Sequence, residues 1–303
     1  MMELTEFQQK IQALAQNIVL RFNEPMSKHT SFRIGGPVEV MAFPKSIAEL
    51  AKILELSALL DCKMHILGAG TNVLAPDEGV EGIVICLKDC LDGIEQLDAT
   101  RIRVFAGVTM TRAAVFAAQH GLSGLEFAHG IPGSVGGGVY MNAGAYGGEI
   151  AQVCESVDVM RLDGHVETIL KRDMDFSYRH SCLEDMEGIV VSAVFSLTAK
   201  PTDEIRALMQ DLMKRRSASQ PLELPSAGSA FKRPEVGYAA AMIDEAGLKG
   251  YRVGNAAISE KHAGFAVNLG GATAKDVCKL LLDVADCVFE RTGIRLQPEV
   301  RIW

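Results

Sequence analysis

A glycine-rich stretch over residues 121–148 places the strongest limit on how this chain folds. Ten of its 28 residues are glycine, yet it also contains apolar residues such as Ile131, Val139 and Tyr146. A flexible linker would combine glycine with serine and lack the apolar residues, so this stretch is predicted to pack against the protein. Its only acidic residue is Glu126, and it has no Lys, Arg or Asp. Backbone N–H groups could therefore bind a diphosphate here without a cationic side chain.

A second pair of glycines lies in the segment LGAGTNVL, residues 67–74, directly after a predicted strand. The third glycine of the GxGxxG dinucleotide pattern is replaced by Val73, and the chain contains no GKS or GKT of a P-loop. A tight turn at the end of a strand explains this pair of glycines as well as a ligand site does. A glycine-rich connection with a purely structural role could explain the longer stretch. Two such segments in one chain favour a ligand that carries a diphosphate.

Charge and cysteine content narrow the function classes. The formal net charge of −8 argues against sequence-independent binding to nucleic acid. Seven cysteines without a CxxC pair argue against a disulfide framework or a zinc ribbon, and they fit a reducing compartment. The N-terminus lacks the features of a signal peptide, and no apolar run approaches the roughly 20 residues of a membrane span. We expect a cytoplasmic protein without a bound metal, a membrane or nucleic acid as partner.

Hydrophobic periodicity predicts an α+β chain of three domains, over residues 1–80, 81–200 and 201–303. The last strand is a candidate to return to the first domain. Helices are predicted over 3–21 with Ile11 and Leu14 on the buried stripe, over 47–60 with Ser46 as N-cap, from the cap Thr109 to Gly121, over 202–216, and from Thr273 onward. Strands are predicted at 38–43, 64–67, 83–87, 101–106, 153–161, 166–170, 189–197 and within 296–303.

Six segments occur in a specific order: GAGTNVLAPDEGVEGIVI, GLEFAHGIPGSVGGGVYMNAGAYGGEI, FSYRHS, PSAGSAFKRP, SEKHAGFAVN and LQPEV. With these segments the chain resembles the UDP-N-acetylenolpyruvoylglucosamine reductase family from about His29 to Val300. The glycine segments alone resemble only the wider superfamily of FAD-binding proteins of the vanillyl-alcohol-oxidase (PCMH) type. One branch of the family has asparagine where this chain has Arg233, and an additional loop that is not found here. The chain is therefore similar to the shorter branch.

The resemblance implies two α+β subdomains that bind FAD and a C-terminal α/β domain that binds the substrate. It implies non-covalent FAD, NADPH as reductant, and reduction of UDP-N-acetylglucosamine enolpyruvate to UDP-N-acetylmuramate in bacterial peptidoglycan synthesis, a process tied to cell shape and division. His129 is expected to contact the flavin without a covalent bond, or to be a loop residue whose hydrogen bonds are satisfied within the protein. The implied FAD contacts are Leu67, Gly68, Ala69, Gly70, Thr71, Asn72, Val73, Gly130, Ile131, Pro132, Gly133, Ser134, Gly136, Gly137, Asn142 and Ala143.

Reduction of an enol ether conjugated to a carboxylate requires hydride at the terminal carbon and a proton at the adjacent carbon. The site must therefore stabilise an enolate and supply that proton. By the resemblance, Arg179 neutralises the enolate, Ser229 donates the proton, and Glu299 stabilises the intermediate. The expected substrate contacts are Tyr178, Lys232, Arg233 and Tyr238.

Two other functions stay open on the sequence. An FAD-dependent oxidase of the same superfamily, acting on a hydroxy acid or a sugar, would consume oxygen with an alcohol substrate. A non-catalytic nucleotide-binding module would show no flavin absorption after purification. The segments GSAFKRP and LQPEV favour the reductase over the oxidase.

Overall fold

A computed structural model of the chain describes residues 4–88 and 90–303. These residues form two compact units. Unit 1 runs from the described N-terminal residues to Phe22 and includes Val40–Ala69 and Gly82–Arg215. Unit 2 consists of Asn23–Glu39, Gly70–Glu81 and Arg216–Trp303. The division into three domains with limits at residues 80 and 200 stays a prediction.

Helices and strands alternate irregularly along the chain. The helices are α1 Glu6–Leu14, α2 Ile47–Leu59, α3 Met110–Gln119, α4 Val135–Tyr140, α5 Ile150–Val153, α6 Thr202–Ser219, α7 Ala239–Glu245 and α8 Ala274–Thr292. The strands are β1 Val19–Pro25, β2 Pro37–Phe43, β3 Met64–Leu67, β4 Val73–Leu74, β5 Val80–Cys86, β6 Ile94–Gln96, β7 Arg101–Phe105, β8 Leu122–Ser123, β9 Gly144–Ala145, β10 Gly148–Glu149, β11 Cys154–Met160, β12 Val166–Leu170, β13 Ile189–Ser196, β14 Thr198–Ala199, β15 Ser226–Ser229, β16 Arg252–Val253, β17 Ala256–Ile258, β18 Phe265–Asn268 and β19 Arg301–Ile302. Short 3₁₀ turns lie at Met26–Lys28, Glu126–Gly130, Lys171–Asp173 and Cys182–Glu184.

Unit 1 contains most of a four-stranded sheet of order β1-β2-β5-β3 and a five-stranded sheet of order β12-β11-β13-β7-β6. Strands β3 and β5 are parallel, with Leu67 opposite Cys86, so the first glycine segment starts at the end of a buried strand. The five-stranded sheet is antiparallel throughout. Its inner face packs against α3 and α4 in a core that includes Val104, Val139 and Phe195.

Unit 2 is built on the antiparallel sheet β15-β18-β17-β16 and on helices α7 and α8. Helix α8 begins where the sequence predicted, with a capping box between Thr273 and Asp276. The Asp77 carboxylate accepts from the N–H groups of Ala274 and Lys275 and so adds charge at this helix start. The last strand, β19, runs parallel to β4.

The helix predicted over 3–21 is too long; its first residue, Glu3, lies outside the described residues. Helix α1 ends at Leu14, which is 44% exposed and not on a buried stripe. Asn17 has a φ of +74°, a left-handed backbone that cannot continue a right-handed helix. From Val19 the chain is extended and joins the four-stranded sheet.

The other long predicted elements are confirmed, with slightly different ends. Ser46 and Thr109 cap α2 and α3 as predicted. A tight turn at Asp163–Gly164 joins the antiparallel strands β11 and β12. Within the described residues, no helix is both long enough and apolar enough to cross a membrane.

Candidate functional site

The glycine-rich stretch folds into short elements, of which α4 is the most important. A Cβ on Gly136 would lie 2.9 Å from the Cβ of Ala106, and one on Gly138 would lie 2.7 Å from the Met110 sulfur. These two glycines are therefore required because α4 packs closely against its neighbours. The sequence did not predict α4, since three consecutive glycines strongly disfavour a helix and only tertiary packing stabilises it.

The two glycine segments meet at Ser134. A Cβ on Gly68 would lie 2.7 Å from Ser134 Oγ, and the same oxygen accepts from the Gly137 N–H at 3.4 Å to cap α4. Gly137 is exposed, and a Cβ there would have only Ser134 Oγ nearby, at 3.5 Å. Packing does not explain why position 137 is glycine. Backbone that is open to a close ligand does explain it.

The residues of this region fit a diphosphate cofactor such as FAD. Gly137 leaves backbone uncovered at the surface. The Nδ1 atom of His129 is buried without a hydrogen-bond partner among the described residues, as expected of a group that contacts a ligand. The N–H groups of Val135 and Gly136 donate to protein carbonyls, so they do not serve the phosphate. The individual FAD contacts stay predictions.

Arg179 lies in unit 1, in a tight turn beside the end of the glycine-rich stretch. Its φ of +57° is unusual for a residue with a side chain, and such backbone often occurs at functional sites. Its Nη2 atom donates to the Gly144 carbonyl at 3.2 Å. Its guanidinium carbon is 5.0 Å from the centre of the Tyr178 ring, and this ring is 49% exposed. The cation is thus oriented by the loop predicted to bind the flavin.

The segments that carry Ser229 and Glu299 pair with each other in unit 2, although 70 residues separate the two residues in sequence. The segments GSAFKRP and LQPEV run antiparallel, with Phe231 opposite Pro298. The Glu299 N–H donates to the Ala230 carbonyl at 2.9 Å. The structure therefore pairs the two segments that carry the residues predicted to protonate and to stabilise the intermediate.

A β-bulge turns Ser229 outward. Along β15, Ser226 is opposite Val267 and Ser229 is opposite Phe265, so β15 has one additional residue between the two pairs. Gly228 supplies the required backbone with a φ of +77°. Bulges of this kind redirect a side chain at the edge of a sheet, and Ser229 is exposed.

Asn72 connects the first glycine segment to Glu299. Its Nδ2 atom donates to the Glu299 carbonyl at 3.2 Å, and its own carbonyl accepts from the Arg301 N–H at 3.0 Å. Two residues before Asn72, position 70 requires glycine for two reasons. A Cβ there would lie 2.0 Å from the His29 carbonyl oxygen, and the φ of Gly70 is +64°. The part of the first glycine segment that lies in unit 2 is thus in contact with Glu299.

Three of the predicted substrate contacts are close together in unit 2. Lys232 is half-buried and its N–H donates to the Gln297 carbonyl at 2.8 Å. Arg233 lies over the ring of Tyr238 at 4.4 Å, and this ring is 60% exposed. The fourth, Tyr178, lies in unit 1. Their contacts with a substrate stay predictions.

A supporting loop in SEKHAGF was not assigned a role from the sequence. The Gly264 carbonyl accepts from the Ala230 N–H at 2.8 Å, on the residue after Ser229. The Gly264 N–H in turn donates to His262 Nδ1 at 3.1 Å, and burial lowers the pKa of this imidazole. In the sequence, the one indication of such a role is that SEKHAGF belongs to the segments by which the chain resembles the family.

Comparison with known proteins identifies the family. Residues 38–170 match the family described as FAD binding domain, and residues 220–303 match the C-terminal domain of UDP-N-acetylenolpyruvoylglucosamine reductase. A reductase of this name from Agathobacter rectalis is 46% identical over 92% of this chain and 92% of its own length. The chain belongs to the UDP-N-acetylenolpyruvoylglucosamine reductase family.

Other members agree with this assignment. The relative from Syntrophomonas wolfei is 44% identical, covering 93% of this chain and 94% of its own. The crystal structure of the reductase from Thermus caldophilus superposes with a TM-score of 0.77 at 35% identity, over 95% of this chain and 99% of that one. The α+β fold with an FAD-binding region and a reductase C-terminal domain is confirmed, and the oxidase alternative is not favoured.

Proposed function

We propose that this protein uses FAD and NADPH to reduce UDP-N-acetylglucosamine enolpyruvate to UDP-N-acetylmuramate, in the synthesis of peptidoglycan precursors. The observation that carries the proposal is the pairing of the Ser229 and Glu299 segments, joined by the 2.9 Å bond from the Glu299 N–H to the Ala230 carbonyl. FAD bound along the glycine segments would supply the hydride. The proposed substrate is a UDP-sugar, and the proposed location is the cytoplasm.

Ser229 is the proposed proton donor. A serine hydroxyl is a weak acid, but an enolate carbon next to it is a stronger base than the alkoxide that protonation leaves behind when cations are near. The bulge at Gly228 directs this hydroxyl out of the sheet, which is the direction a donor needs. Glu299 follows in the adjacent segment and can share a proton with the enolate oxygen.

Arg179 is the proposed stabiliser of the developing charge. A guanidinium remains protonated at any working pH and donates from a planar fork that suits a carboxylate. Its hydrogen bond to Gly144 and its place beside Tyr178 fix its direction before the substrate binds. Groups that are oriented in advance stabilise a transition state without a reorganisation cost.

An anaerobic titration tests the function. The purified protein should show flavin absorption, lose it with one equivalent of NADPH, and recover it when UDP-N-acetylglucosamine enolpyruvate is added. Formation of UDP-N-acetylmuramate, followed by mass spectrometry, should equal the flavin that is reoxidised.

Two controls make this result specific. UDP-N-acetylglucosamine without the enolpyruvyl group should leave the reduced flavin bleached. Reoxidation by oxygen coupled to turnover of an alcohol, with no effect of the enolpyruvyl compound, would contradict the proposal and favour an oxidase.

A further inference from the structure

Asn142 is a fully buried residue whose side-chain amide uses both of its ends within the protein. Its exposure is 0%. Nδ2 donates to the Ser177 carbonyl at 2.9 Å, and Oδ1 accepts from the Ala151 N–H at 2.9 Å. The side chain therefore joins two segments of unit 1 that lie 35 and 9 residues away in sequence.

Ser177 is the first residue of the turn that carries Arg179. Ser177 and His180 exchange two main-chain hydrogen bonds, each of 3.2 Å, which close the turn around Tyr178 and Arg179. The Ser177 carbonyl thus accepts both from the His180 N–H and from Asn142. A residue with a φ of +57° such as Arg179 is held only when its surroundings fix the backbone.

Two more contacts join this turn to the same part of the glycine-rich stretch. Ser181, which is also buried, donates from Oγ to the Tyr140 carbonyl at 2.7 Å. Arg179 itself donates to the Gly144 carbonyl at 3.2 Å. All three links end on residues 140–144, so this short piece of chain contributes to the position of the cation.

We propose that Asn142 is a positioning residue that holds Arg179 in its working place by donating to the Ser177 carbonyl. The inference rests on the proposed function, because it assigns Arg179 to the step in which the enolate forms. Asn142 would act on that step alone, and the bleaching of the flavin by NADPH would not require it.

The substitution Asn142→Asp replaces the Nδ2 donor and keeps the Oδ1 acceptor. Aspartate tolerates the φ of +43° at this position and still accepts from Ala151, and its ionised carboxylate cannot donate to the Ser177 carbonyl. Because a buried carboxyl that binds a proton could donate, Asn142→Gly, which has no side-chain donor in any protonation state, is measured alongside it. Displacement of a catalytic group by about 1 Å can slow a reaction ~100-fold. Both ends of the Asn142 amide are used within the protein, so an FAD contact at this residue would come from its backbone, which the substitution keeps. We therefore expect flavin content and NADPH reduction close to wild type, with reoxidation by the enolpyruvyl substrate slowed ~10- to 100-fold.

Gln152→Glu is the matched control. Gln152 is exposed, and its Nε2 atom donates to the Gly147 carbonyl at 3.0 Å, so the same amide-to-acid change removes the same type of bond nearby. Both half-reactions should stay at wild-type rates in this variant. Hydrogen–deuterium exchange of the peptide over residues 174–183 should be faster in Asn142→Asp and unchanged in the control.

A double variant shows whether Asn142 acts through Arg179. If it does, Asn142→Asp should slow reoxidation much less in an Arg179→Lys background than in the wild type. The proposal would be overturned if the effects of Asn142→Asp and Arg179→Lys on the rate of reoxidation multiply in the double variant. It would also be overturned if Asn142→Asp slows both half-reactions equally and loses flavin. If Asn142→Asp does not fold, Asn142→Gly keeps the left-handed backbone and replaces it in every arm.

The two hypotheses fail in different ways. Wild-type protein that the enolpyruvyl compound does not reoxidise would refute the proposed function only. The exchange measurement needs no substrate, so unchanged exchange over 174–183 in Asn142→Asp would refute the positioning role regardless of that outcome.

Discussion

In unit 2, main-chain hydrogen bonds join the segments that carry Ser229 and Glu299 to each other. In unit 1, main-chain bonds close the turn that carries Arg179, but side chains join this turn to the glycine-rich stretch. The main-chain bonds of unit 2 run from Glu299 to Ala230, from Lys232 to Gln297 and from Ala230 to Gly264. The turn of Arg179 is joined to the glycine-rich stretch by Asn142, Ser181 and Arg179 itself.

This difference determines how each region responds to substitution. Main-chain bonds form whatever the side chain is, so a substitution at Ser229 or Glu299 should remove a chemical group and leave the backbone in place. A buried polar group that loses its partner costs ~1–3 kcal/mol. A single substitution at Asn142 should therefore move the backbone that carries the cation.

The largest effect is expected for Ser229→Ala, which tests the region of unit 2 that main-chain hydrogen bonds hold. Loss of a general acid lowers a rate ~10²–10⁴-fold. Stopped-flow absorbance should show normal bleaching by NADPH and reoxidation slowed by this factor, with an unchanged Tm because the backbone pairing remains. Ser226→Ala, on the same strand, is the control and should react like wild type. Equal slowing of both half-reactions would refute the donor role.

Gly137→Ala tests whether the exposed face of α4 binds the cofactor. Alanine in place of an exposed helical glycine stabilises a helix by up to ~1 kcal/mol, and there is room for its Cβ. We expect the Tm of flavin-free protein to rise slightly while FAD affinity, from fluorescence titration, falls ~10-fold or more if about 1.4 kcal/mol of backbone contact is lost. Unchanged affinity would show that the cofactor does not approach this residue.

Asn72→Asp is the counterpart in unit 2 of the Asn142 substitution. It removes the donor to the Glu299 carbonyl, but the main-chain bonds of Glu299 and Arg301 remain. We expect reoxidation to slow only ~2- to 10-fold, consistent with about 1 kcal/mol for one hydrogen bond. An effect as large as that of Asn142→Asp would break the comparison, because it would make unit 2 equally dependent on one side chain.

The smallest effect is expected for His262→Asn, measured as Tm against pH. Burial lowers the pKa of the folded imidazole below 6.5, so the unfolded chain binds more protons in the window between the two pKa values. The contribution of neutral His262 is complete above this window and is lost as the pH falls through it. The Tm difference between wild type and variant should therefore be larger at about pH 8 than at about pH 5. A difference independent of pH would contradict this assignment.

Local sequence signals predicted much of the fold. The strand predicted at 101–106 and the helix predicted from Thr273 depend on neighbouring residues, and both predictions are confirmed as Arg101–Phe105 and Ala274–Thr292. The end of α1 was missed because Asn17 adopts a left-handed backbone that the apolar spacing does not reveal. Helix α4 was missed because packing against Ala106 and Met110 stabilises a sequence that would not be helical alone.

The candidate site was predictable only in its residue types. Motifs indicated Ser229 and Glu299, but the pairing of their segments is a contact between parts of the chain that are distant in sequence. The side-chain contacts of Asn142 were also hidden, because a predicted cofactor loop does not reveal that its amide reaches Ser177. Such contacts arise from the tertiary fold and have no local signal.

The main-chain frame around Ser229 has a consequence for inhibitor design. A compound that packs against the backbone of this frame, or donates to carbonyl oxygens that can accept a second hydrogen bond, would recognise atoms that every amino acid shares. Point mutations could then confer resistance only by distorting the sheet, which would damage the enzyme as well. Compounds directed at the Arg179 turn would be more vulnerable to resistance mutations, since a single altered side chain could move the turn that they bind.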